Sequence, residues 1–125
     1  MSDSGGGSGR AATALAAIAD ARGSTNRLIE SLNRQWTDIV QASALSANDD
    51  EHDPEGVTVA FERAQVQGLL DQARIDLTDV DRAAARVREG TYWTCVRCAG
   101  PIAQERLVAL PATRTCITCA NKRRR

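Results

Sequence analysis

Four cysteines carry the clearest chemistry in the chain. Cys95-Val-Arg-Cys98 and Cys116-Ile-Thr-Cys119 form two Cys-x-x-Cys pairs with 17 residues between them, and no other cysteine occurs among the 125 residues. Each pair lets two thiolates converge on one side of a tight turn. Two such turns complete a tetrahedron around zinc, with metal to sulfur distances of about 2.3 Å. Four thiolates leave no position for water or substrate, which makes the centre structural and not catalytic. Disulfides, spare thiols and a redox switch in which oxidation ejects the metal are the competing readings of the same residues. The clustering favours metal, because a secreted disulfide scaffold spreads its cysteines through the fold.

A second chemical feature is acidic. Asp49, Asp50, Glu51, Asp53 and Glu55 put five carboxylates into seven residues, around the single histidine, His52. By charge alone this run is a solvated turn. It also suits a basic channel, where a narrow cleft focuses field and speeds encounter. Phe61, one to two helical turns further on, falls outside the apolar seam and reads equally as turn packing or as a contact residue. The C-terminal Lys122-Arg-Arg-Arg125 run is either a solubilising tail or a contact for phosphate, nucleic acid or an acidic surface. No catalytic dyad, open metal position or phosphate-cradling glycine loop is visible, so an enzyme is not expected.

The elements that must position these groups read as helices. A thin core, few aromatics and three prolines exclude a barrel, a doubly wound sheet and a turn-rich sandwich, while abundant alanine favours helix. Residues 1–10, rich in Ser and Gly, read as a flexible tail. From about Ala11 to Ala47, Leu15, Ile18, Arg22, Thr25, Ile29, Leu32, Trp36, Ile39 and Ser43 recur at spacings of three and four. Gly23 marks a place for a kink or break. Residues 48–55 form the acidic turn, with Asp53 as cap and Pro54 at the first helical position. Val59, Val66, Ala73, Val80 and Val87 then keep a seven-residue period, joined by Leu70, Leu77 and Ala84, until Gly90 stops the helix. Two matched seams and a short loop predict an antiparallel coiled-coil hairpin over residues 11–89. Facing residue numbers should sum to roughly 98–102, which sets Arg22 against Asp76 as a polar layer that pins the register.

The cysteines would then lie in a small four-cysteine finger at 90–120, followed by a basic tail at 121–125. A short helix is predicted over Pro101–Leu107, with Ile102, Leu107 and Leu110 as core and with Tyr92 and Trp93 packing on the finger or the base of the hairpin. Ala11–Ala19 after Arg10 has some look of a signal segment. Asp3 and the lack of basic residues before Arg10 argue against one, and no run is long enough to span a bilayer.

The pattern Gly90-x-Tyr92-x-x-Cys95-x-x-Cys98-x-x-x-Ile102-x-x-x-Arg106-Leu107-x-Ala109-x-Pro111-x-x-x-x-Cys116-x-x-Cys119 closely resembles the DksA/TraR-type C4 zinc finger, and the acidic-tipped hairpin resembles that family's coiled coil. Trp93 and Ala99 stand where the family pattern usually has glycine, with Gly100 one place late. The resemblance implies a mainly α, cytoplasmic, non-enzymatic transcription regulator with one structural zinc on Cys95, Cys98, Cys116 and Cys119. It would bind RNA polymerase through the tip, in some members together with the alarmone ppGpp, and without a membrane partner. The implied tip residues are Asp49, Asp50, Glu51, Asp53, Glu55 and Phe61. The family's Asp-x-x-Asp-x-Ala tip is here Asp50-x-x-Asp53-x-Glu55. The alternative is a zinc-finger adaptor, redox-sensitive or not, that binds nucleic acid or protein through its finger and basic tail and uses the coiled coil to oligomerise.

The zero net charge hides a separation. Residues 1–89 hold 9 basic and 15 acidic side chains, and residues 90–125 hold 7 basic and 1 acidic. An acidic hairpin on a basic finger calls for two oppositely charged partners.

Overall fold

The computed structural model describes residues 2–46 and 54–123. Its elements are α1 (Ser2–Ser46), α2 (Pro54–Glu89), α3 (Gln104–Ala109) and α4 (Ile117–Arg123). Helices α1 and α2 form a long hairpin, and the four-cysteine region follows with its two short helices. The β structure among the described residues is one antiparallel bridge between Thr94 and Pro101. No described helix is long and apolar enough to cross a membrane.

Local chemistry explains the boundaries of α2. Pro54 opens it, where the missing N–H costs nothing and the fixed φ suits a helix. Gly90 closes it at φ 80, in the left-handed region. Gly90 N–H donates to Val87 O at 3.2 Å and Thr91 N–H to Arg86 O at 3.0 Å, the paired bonds of a Schellman cap. Helix α1 runs unbroken through Gly23, so no break divides it there. It also begins at Ser2 rather than near Ala11. Propagation from an Ala-rich segment adds one hydrogen bond per residue once a turn has formed, and this carries the backbone through residues 2–9.

Packing separates the chain into two units, Thr25–Ile75 and Met1–Ser24 with Asp76–Arg125. In the first, Leu32, Val66, Leu70 and Ala73 are buried, with Ile29, Trp36 and Ile39 packed against them. These are seam positions at the predicted register. Arg63 lies over the Trp36 ring, 5.4 Å from its centroid.

In the second unit, Ala14 and Ile18 of α1 meet Val80, Ala83, Ala84 and Val87 of α2 in one cluster with Tyr92, Ile102 and Leu107. The α1 seam here runs Ala14, Ile18, Ala21, one place earlier than Leu15 and Arg22. Leu15 is 37% exposed. Alanines let the two backbones approach closely, and the larger neighbours are turned to the flank. Arg22 is accordingly a flank residue, and its guanidinium pairs with Asp81 instead of the expected Asp76. Five residues separate those aspartates, about 140° around a helix, so a shift of the seam exchanges one for the other. Both side chains of the pair are roughly half exposed, so it contributes at most about 1 kcal/mol.

Candidate metal centre

The first cysteine pair is built by backbone geometry. Thr94 pairs with Pro101 and Ile102 N–H donates to Trp93 O at 2.8 Å, closing a loop around Cys95–Gly100. Inside it, Cys95 N–H donates to Gly100 O at 2.8 Å and Ala99 N–H to Cys95 O at 3.0 Å. Two further amides point at sulfur: Arg97 N–H to Cys95 Sγ and Gly100 N–H to Cys98 Sγ, each at 3.4 Å. The amide aimed at Cys95 sulfur favours thiolate over thiol there. Ala99 adopts φ 62, a conformation suited to glycine, which is where its departure from the family pattern becomes a physical strain. Gly100 sits close to the thiol, since a Cβ there would lie 3.3 Å from Cys98 Sγ, a tight contact.

The pairing of Thr94 with Pro101 also corrects the predicted helix over 101–107. Extended backbone at Pro101 and Ile102 delays α3 until Gln104. Ile102 and Leu107 are buried as expected, but Leu110 is 51% exposed because it follows the last turn of α3 and leaves the core.

The second pair uses a helix. Cys116 immediately precedes α4, and Cys119 lies in its first turn. The Cys119 backbone N–H bonds back to the Cys116 sulfur and holds that thiol below its ordinary range, as a serine oxygen would cap the helix. Cys95 is lowered to about 6, chiefly by backbone hydrogen bonds from Cys116 and Cys98 acting against its burial. Cys119 is pushed up to about 12 by its side-chain interaction with Cys116 and by burial. It is therefore the thiol that keeps its proton until a cation displaces it.

The four sulfurs lie within 4.8 Å of one another, and Cys98 Sγ is 3.8 Å from Cys116 Sγ. Edges of a tetrahedron with about 2.3 Å metal to sulfur bonds are about 3.8 Å long, so the thiols fit zinc with little movement. All four are free cysteines, at distances far beyond a disulfide. Four thiolates would close the coordination sphere of a metal held here, leaving it a structural part in the finger.

Residues outside the thiol set hold the two pairs together, and sequence periodicity did not point to them. Val96 N–H donates to Arg114 O at 2.9 Å, joining the first loop to the segment before Cys116. Arg106 Nε donates to Thr115 O at 2.8 Å, and Arg86 Nη2 donates to Thr113 O at 3.1 Å. Arg86 is held below its ordinary range by burial and then by the nearby Arg114. Arg106 lies within the family pattern, which was the one signal for it. Arg86 had none beyond its place beside Val87 in the seam.

Tyr92 is fully buried, donates its hydroxyl to Pro111 O at 2.7 Å and meets Trp93 edge-on, with centroids 5.3 Å apart. Burial raises its hydroxyl above the usual tyrosine range. Arg10 of α1 stacks over Trp93 at 3.9 Å. Both aromatics therefore pack, as predicted.

Of the tip residues, Asp49, Asp50, Glu51 and Asp53 lie outside the described residues, as does His52. Glu55 falls in the first turn of α2. Phe61 is 72% exposed on α2, so it does not pack on the hairpin seam.

Comparison with known proteins places these features. Residues 90–125 match the prokaryotic DksA/TraR C4-type zinc finger. An uncharacterized protein of Aquifex aeolicus (strain VF5) is 41% identical over 46 residues, which cover 37% of this chain and 32% of that protein's length. The structure of transcription factor DksA2 from Pseudomonas aeruginosa matches with a TM-score of 0.52 at 19% identity, over 87% of this chain and 84% of that one. That identity speaks for the fold alone. The chain thus ends in a segment that matches the DksA/TraR C4-type zinc finger, with four cysteines positioned to bind one metal ion, after a helical hairpin that shares the fold of the DksA2 structure.

Proposed function

We propose that this protein is a cytoplasmic, non-enzymatic transcription regulator that binds RNA polymerase through the loop of its helical hairpin, with the zinc finger as a structural base. The observation that carries this reading is the joining of two features in one chain. A DksA/TraR-type finger directly follows a hairpin, and residues 49–55, which run from the connection between its helices into the start of α2, concentrate five carboxylates. A dense negative loop suits a basic channel, whose field would speed encounter and orient the hairpin. Exposed Phe61 would add an apolar contact. The alarmone ppGpp is a further candidate ligand of the assembled complex.

Fluorescence anisotropy of the labelled chain against the host polymerase tests the reading. Binding that weakens at least tenfold when Asp50 and Asp53 are both changed to Asn supports it. Unaltered binding by that variant excludes the tip mechanism.

A second reading is favoured by the finger's own surface. An open groove of about 750 Å³ that includes Cys98, Cys116 and Cys119 is lined by Leu110 and Ile117, with Arg106 and Lys122 as its cations and Glu105 as its carboxylate. Leu110 and Ile117 are both more than half exposed. An adaptor that uses this basic, partly apolar face would bind DNA, RNA or an acidic protein in a salt-sensitive way. Deleting Lys122–Arg125 would then abolish binding, while the tip variant would not.

A further inference from the structure

The segment Thr113–Thr115 leads into Cys116, and each of its three carbonyls accepts from a different element. Thr113 O accepts from Arg86 of α2, Arg114 O from Val96 of the first cysteine loop, and Thr115 O from Arg106 of α3. Arg106 also reaches Thr113 Oγ1 at 3.4 Å. Among the described residues, the Arg86 bond is the hydrogen bond that joins this segment to the hairpin helices.

Arg86 occupies a demanding place. Its guanidinium lies 6.0 Å from the centroid of the Tyr92 ring, and its Nε is buried without a hydrogen-bond partner among the described residues. Arg106 donates to the same three-residue segment and Arg114 belongs to it; the Arg114 charge opposes that of Arg86, and Asp79 and Glu89 of α2 offset part of this. Burying a guanidinium with one donor unmatched is unfavourable unless its remaining bond is well placed. That bond ends on a segment whose far end, Cys116, is a metal ligand.

We propose that Arg86 is a positioning residue for zinc, a latch that couples occupancy of the four-cysteine centre to the order of the last turns of α2. It touches no thiol and acts through the Thr113 carbonyl. Metal on Cys116 fixes the 113–115 segment, and the fixed carbonyl holds Arg86. Linkage makes the coupling reciprocal: whatever Arg86 contributes to zinc retention, zinc returns to the C-terminal end of α2. The Schellman cap sharpens this, because Arg86 also supplies the carbonyl that accepts from Thr91 N–H.

The test uses the full zinc-loaded chain. Zinc transfer to a chromogenic chelator in excess should be about 10-fold faster from Arg86→Met than from the parent, the scale seen when groups that support a metal ligand are removed. Arg86→Lys should fall between them. In the unmutated chain, hydrogen exchange at residues 82–89 should accelerate on chelation, and that response should shrink in Arg86→Met. Zinc release from Arg86→Met within twofold of the parent overturns the latch. So does exchange at 82–89 in the unmutated chain that ignores chelation, a result that needs no variant. An equal loss of melting temperature in the zinc-loaded and chelated forms of Arg86→Met would reduce Arg86 to a packing residue and also refute the proposal.

Discussion

The unit Thr25–Ile75 and the unit that bears the finger solve the same problem with different materials. In the first, two helices bury Leu32, Val66, Leu70 and Ala73, and large aliphatic side chains supply the apolar area. In the second, the helices meet through Ala14, Ile18, Val80, Ala83, Ala84 and Val87, and Tyr92, Ile102 and Leu107 add apolar area from outside the helix pair. A seam with more alanine is sufficient where finger residues pack on it. Where none do, leucine and tryptophan of the helices themselves supply the area. The metal and the seam are therefore alternative sources of order, and each unit should fail by its own route.

The largest effect should follow from removing a ligand. Cys119→Ser should weaken zinc binding by more than about 100-fold, since loss of groups that only support a ligand already costs about 10–100-fold. Near-ultraviolet dichroism from Tyr92 and Trp93 should collapse with it, because both aromatics lie in the finger-bearing unit. A retained aromatic signal would show that the finger packs without metal. The pH dependence follows from the same thiols. Cys119, raised to about 12, releases a proton when zinc binds, so apparent affinity should rise with pH through neutrality. Below about pH 6 Cys95 also takes up a proton, and the fall should steepen. Zinc competition titrations between pH 5.5 and 8 check both, and a flat profile would contradict them.

Next in size is Leu70→Ala, which leaves a cavity in the other unit. A loss of about 2–4 kcal/mol in denaturant unfolding, with zinc release unchanged, would keep the two units distinct. Faster zinc release from that variant would break the comparison.

Ala99→Gly should be smaller and of opposite sign. Relief of a left-handed alanine returns about 1–2 kcal/mol, and the added chain entropy of glycine offsets part of it. A net gain of about 0.5–1 kcal/mol in the melting of the zinc-loaded chain is expected. The smallest effect is Asp81→Asn, at most about 1 kcal/mol and fading with salt, because the pair with Arg22 is exposed.

The sequence made some of this legible for definite reasons. The thiol spacing, the heptad line of α2 and Gly90 were legible: the four sulfurs converge, Val66, Ala73, Val80 and Val87 are buried, and Gly90 caps the helix. The α1 seam was not, because Leu15 beside Ala14 and Arg22 beside Ala21 invite the larger residue into the core. Close helix approach instead selects alanine. The start of α3 was missed because Pro101 fits a helix N-terminus and an edge pairing with Thr94 equally well. Arg86 and Arg106 were beyond periodicity, since their partners are backbone carbonyls of a distant segment and carry no side-chain signature. The acidic residues Asp49, Asp50, Glu51 and Asp53 rest on sequence and resemblance.

The four-cysteine metal centre is the feature on which the finger, its packing and the latch all depend. Native mass spectrometry of the full chain purified under metal-replete conditions, with thiol titration before and after chelation, tests it most directly. One zinc per chain, with four thiols that become reactive only after chelation, is the predicted result. Four reactive thiols and no metal, or cysteines oxidised to disulfides, would contradict it.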